Sequence, residues 1–137
     1  MKKIHSNINK EKLLHLILRK EDVVEERYNI IDDQEYLQLA AMLLPKGKTF
    51  IPHRHVDCKK TVLMTQESWV VISGKVKAIL YDLDDSVITE EILNAGDCSV
   101  TFYGGHNYEI LEDNTLVYEY KTGPYEGQKL DKVSIKN

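Results

Sequence analysis

Residues 36–121 break into short apolar and β-branched runs, each stopped by Gly, Asp or Asn. The runs at 36–44, 50–56, 62–72, 75–81, 87–93, 98–103, 106–111 and 115–121 read as about eight strands. Lys46-Gly47-Lys48, Ser73-Gly74, Asp82 to Ser86, Asn94 to Asp97 and Glu112-Asp113-Asn114 punctuate them. The Gly74 turn and the Asp-rich loop at 82–86 are both hairpin signals. Many short strands with regularly spaced turns predict an all-β, antiparallel sandwich or barrel, and closure would remove exposed strand edges. Before residue 36 the pattern is ambiguous. Asn9 could cap a helix running through Leu13, Leu14 and Ile17, but Leu14, Leu16 and Leu18 also alternate as a strand would. A turn is expected at 29–34, around Asp32-Asp33. The chain then divides into an N-terminal extension (1–35), a β-barrel domain (36–125) and a C-terminal tail (126–137).

Composition narrows the function. The 137 residues suit one ordinary domain with a real core. A net charge of −4 argues against a general nucleic-acid binder, which needs a basic face. No apolar stretch is long enough for a membrane helix. The basic N-terminus is not followed by the apolar core of a signal peptide, so a cytoplasmic location is expected. Cys58 and Cys98 are too few for a disulfide framework.

The sharpest chemistry is His53-Arg54-His55. On an extended strand residues 53 and 55 face the same way, so their imidazoles could grip one metal ion. Glu67 lies in a later run, and His106 follows the Gly104-Gly105 turn. His53, His55, Glu67 and His106 together would suit a borderline divalent metal: zinc, iron, nickel, manganese or cobalt. Taken singly, each has a plainer reading as a surface or core residue. A softer zinc site from His53, His55, Cys58 and Cys98 is an alternative. Gln66 and Glu67 face opposite ways on a strand, and register decides which looks inward. Trp69 shares the parity of Glu67. Tyr108, Glu119 and Tyr120 are candidate acid–base or ligand-binding residues.

With these residues in place, the chain resembles the cupin superfamily of small jelly-roll barrels. The first cupin motif is Gly, five residues, His-x-His, a short gap, Glu, six residues and Gly; Gly47, His53, His55, Glu67 and Gly74 follow it. The departure is a longer gap, residues 56–66. The second motif is matched by Gly96, Gly104 and His106, with Phe102 where the family has Pro, His106 one residue early, and Ile110 where it has Asn. The resemblance spans about residues 36–121. Pro52-His53-Arg54-His55 and the segment from Glu119 to Tyr125 are most similar to short cupins linked to bacterial surface-polysaccharide and sugar-nucleotide pathways. It implies a single jelly-roll β-barrel, a metal on the four ligands, a small polar substrate such as a sugar derivative, and a homodimer. Three functions fit: an enzyme, a non-catalytic module that binds or senses a sugar-like ligand, or a structural subunit whose barrel is metal-free.

Overall fold

The computed structural model describes residues 1–135. Lys2–His5 and Leu13–Leu18 form strands β1 and β2, which pair antiparallel. The strand reading of 13–18 holds because both of its faces are covered. Ile17 enters one apolar layer, while Leu16 and Leu18 enter another. A six-residue helix could not divide itself so evenly between two layers. The expected extension therefore supplies two strands of the main sheet.

A two-stranded ribbon follows, β3 (Tyr28–Asn29) with β4 (Ala40–Ala41). The chain from 42 to 66 holds no strand. Regular structure resumes with β5 (Glu67–Ser73), β6 (Lys75–Tyr81), β7 (Val87–Asn94), β8 (Cys98–Thr101), β9 (His106–Ile110) and β10 (Leu116–Lys121). A short α-helix, α1 (Gln128–Asp131), comes last among the described residues. The strands sort into a five-stranded sheet, β1-β2-β8-β5-β10, and a three-stranded sheet, β7-β6-β9, all antiparallel. The fold is thus all-β. The sheets remain separate, with no closed barrel among the described residues.

Three strand expectations change here. Residues 50–56 form no strand, and 36–44 shrinks to Ala40–Ala41. Pro52 offers no backbone N–H, and neither run finds a ladder beyond the two-residue pairing with β3. The run at 62–72 begins as a strand only at Glu67, because both of its partners end there: Thr101 on one side, Lys121 on the other. Beyond Lys121, Gly123-Pro124 takes the neighbouring chain away.

The Gly74 turn is a corner and not a hairpin. It carries the chain from β5 in one sheet to β6 in the other. Gly74 sits at φ +81°, and a Cβ there would lie 2.8 Å from Thr115 Cα. Only glycine takes that corner without strain. The 82–86 loop is a true hairpin joining β6 and β7.

Two layers of core result. Between the sheets lie Ile4, Ile17, Val71, Val76, Ala78, Leu80 and Leu93. On the outer face of the larger sheet, residues from the 23–41 segment cover Leu16, Leu18, Cys98, Val100 and Phe102 through Ile30 and Ile31. Gln66, fully buried, anchors that cover. Its amide donates to Glu35 at 2.5 Å, and its carbonyl accepts from Leu37 N–H at 2.8 Å. Arg19 ties the sheets at one end, donating to Glu91 on β7 at 2.8 Å and to Asp97 at 3.0 Å. No helix among the described residues is long and apolar enough to cross a membrane.

Candidate functional site

At the start of β5, Gln66 just before the strand turns to the outer cover and Glu67, its first residue, to the space between the sheets. Trp69 follows Glu67 on that inner face. Register then lines up its neighbours: Thr101 beside Glu67, Ser99 beside Trp69, and His15 beside Thr101. From the opposite sheet, His106 and Tyr108 on β9 point at them. Toward Val71 the inter-sheet layer is apolar; toward Glu67 it is a connected polar cluster.

Its centre is a hydrogen bond of 3.1 Å between His106 Nε2 and Glu67 Oε1. Trp69 Nε1 donates both to Glu67 at 3.1 Å and to Glu119 at 3.2 Å. The indole stacks on Tyr108, with ring centres 4.0 Å apart and planes 12° off parallel. Tyr108 and Ser99 share a hydrogen bond of 2.8 Å between their hydroxyls.

Burial opposes ionisation of Glu67. The His106 hydrogen bond and charge outweigh it, helped by the Lys132 ammonium and the Trp69 N–H, so its carboxyl is held below the usual range. Glu67 is therefore an anion at neutral pH. A carboxylate only accepts, so Nε2 of His106 carries the hydrogen. In the neutral ring the lone pair then sits on Nδ1, which is buried without a hydrogen-bond partner. Burial pushes the Tyr108 hydroxyl well above its ordinary range despite the Ser99 bond, so it stays a phenol and walls the cluster. Beneath them His15 is fully buried. Its Nε2–H donates to the Tyr81 carbonyl at 2.9 Å, and its Nδ1 pairs with the Thr101 hydroxyl at 3.1 Å.

Glu67 and His106 open into a pocket of about 720 Å³. Thr101, Tyr81 and Asn107 line it from the sheets, and residues 128–135 line its far side. That volume suits a small polar molecule.

The four expected metal ligands fall into two pairs. Glu67 and His106 meet. His53 and His55 lie together on the exposed 42–64 segment, ring centres 5.6 Å apart, with His53 Nδ1 bonded to the Ile51 carbonyl at 2.9 Å. Among the described residues no group of three or more His, Cys, Asp or Glu side chains is poised around one point. Nor do the cysteines join them. Cys58 is exposed and Cys98 lies in the outer core, its thiol pushed up to about 11 by burial. Of the acid–base candidates, Tyr108 and Glu119 stand at the polar cluster. Tyr120, opposite Ser68, is on the outer face and 57% exposed. Three cluster members were not singled out from the sequence: His15, Ser99 and Thr101. The one available signal was a histidine in the middle of the apolar run at 13–18. Comparison of the chain with protein-family models, with curated proteins and with solved structures gives no match.

Proposed function

We propose that this protein is a cupin-type jelly roll acting on a small polyhydroxylated, sugar-like substrate, with Glu67 and His106 moving a proton. The observation that carries the reading is the hydrogen bond of 3.1 Å between an ionised Glu67 and His106 in a pocket, with Nδ1 of His106 unpartnered. A carboxylate that orients an imidazole and stabilises its protonated form is the arrangement a general base needs. Proton abstraction beside a carbonyl, followed by return at the same or a neighbouring carbon, is the chemistry such a base serves in isomerisation and epimerisation. Thr101, Asn107 and Tyr81 supply the polar contacts that would hold hydroxyls. The fold reading is supported by strand order. The run β8-β5-β10 in one sheet and β7-β6-β9 in the other, with four of the five connections from β5 to β10 crossing between sheets and the β6–β7 hairpin staying within one, is the order expected of a jelly roll without its opening strands. Glu67 on β5, Gly74 after it and His106 on β9 agree with the positions the motifs imply.

Trp69 is the only tryptophan, so its emission reports on this site alone. Titration of the full chain with a panel of aldoses, ketoses and sugar phosphates should change Trp69 emission saturably for at least one class, and conversion should be sought by NMR of that compound. A flat response across neutral and phosphorylated sugars would remove the sugar reading. The alternative, a binding module, is what saturable binding without conversion would establish.

A divalent transition metal is the second reading. One observation favours it: β9 ends its sheet with an open edge, and the His53–His55 segment is a chain without a strand partner. Pairing of the two would bring further donors toward Glu67 and His106. Protein expressed with added zinc, iron, nickel, manganese or cobalt should then carry near-stoichiometric metal, lost in His53→Ala/His55→Ala. Trace metal in every preparation would discard this reading and leave the proton-transfer one standing.

A further inference from the structure

The far wall of the Glu67–His106 pocket is made by the chain's own residues 128–135. This segment contributes no strand to either sheet. Its backbone hydrogen bonds, Leu130 N–H to Gly127 O and Lys132 N–H to Gln128 O, are internal. Side chains alone hold it down. Asp131 accepts from Thr65 Oγ1 at 2.5 Å and from Lys121 Nζ at 3.5 Å. Ile135 packs so tightly on Gly105 that a Cβ there would collide with it. Leu130 and Val133 are 78% and 90% exposed, so little packs against them. Immediately before it, Gly127 has φ +102° and nothing within 4 Å of where a Cβ would stand, so the joint is sterically free. A covering segment fastened by few side-chain contacts and joined at an unhindered glycine has the low local stability of a moving element.

From this we infer that Gln128–Ile135 is a strap hinged at Gly127, which walls one side of the open Glu67–His106 pocket and swings to admit a small molecule and close over it. The inference rests on the pocket being the binding site. Closure would also shed water from the pair and bring the Lys132 ammonium toward an anionic or hydroxyl-rich guest. Asp131 is then a latch: it touches no substrate and acts by holding the strap against Thr65 and Lys121.

Carbethoxylation of imidazoles by diethyl pyrocarbonate tests this on the full chain without any ligand. His106 is read by peptide mass spectrometry, with the exposed His55 as the internal standard. Loss of the latch in Asp131→Ala should raise the His106 modification rate about tenfold, the weight of one charge-assisted hydrogen bond, with His55 unchanged. Ile135→Ala should act in the same direction. Equal His106 rates in wild type and both variants would overturn the strap. Because no sugar is present, that result is separate from the Trp69 titration: a strap can be refuted while binding survives, and the reverse.

Discussion

Acidification from pH 6.5 toward pH 4 should cost the protein up to roughly 3 kcal/mol of folding stability through His15 alone. The ring is buried against Tyr81 O and Thr101, and burial, set against a helpful carbonyl bond, lowers its pKa from 6.5 to about 4. In the unfolded chain it takes up a proton at its ordinary value. Between those two pH values the unfolded state therefore binds a proton the folded state refuses, and stability falls as pH falls. Above pH 6.5 both states are neutral and the contribution is flat. Several carboxyls, including Glu67 and Asp131, have lowered values, and their stabilisation also disappears on acidification. Their window, however, lies below their ordinary values, so the range from pH 6.5 to 5 isolates imidazole. Urea unfolding at pH 7, 6 and 5 should give a falling free energy in wild type and a much shallower slope in His15→Gln. A wild-type stability constant over that range would show that His15 is not a buried neutral ring.

The strands that were legible in the sequence are those bounded by strong turn residues and able to find a ladder. β6 and β7 enclose an Asp-rich turn, and their register follows from it. β9 and β10 flank Glu112-Asp113-Asn114 and begin and end within a residue of expectation, although each pairs with a strand elsewhere. What local pattern lacks is knowledge of the partner. Residues 50–56 have the composition of a strand and no ladder to join. The 62–66 segment is equally apolar, but the chains that would pair with it have turned away. The same limit explains Gly74. A positive-φ glycine between two β runs reads identically whether the second run returns beside the first or crosses to another sheet.

The site was legible residue by residue and not as an assembly. Parity alone put Glu67 and Trp69 on one face, and His106 with Tyr108 on another. That these two faces look at each other follows from sheet packing, which no spacing encodes. His15 escaped because its neighbours are uniformly apolar, so either face of the strand would have served. Its place beside Thr101 depends on the pairing of β2 with β8, elements separated by most of the chain.

That polar cluster interrupts an otherwise apolar layer, and the interruption has an energetic signature. Glu67→Leu should destabilise the fold by about 1–3 kcal/mol, because His106 Nε2 loses its acceptor and Trp69 keeps only Glu119. Both residues retain some exposure, with side-chain values of 25% for His106 and 11% for Glu67, so the cost sits below that of a wholly buried pair. Adding His106→Leu should then recover most of that loss, since an apolar pair continues the layer already made by Val71, Val76 and Leu80. Any saturable Trp69 response to a sugar should vanish in the single and the double variant alike. A pair kept for structure would behave otherwise: the double variant would be less stable than either single one, and urea unfolding of the four proteins distinguishes the cases. Recovered stability with lost binding is the outcome expected of residues that fold tolerates and function requires.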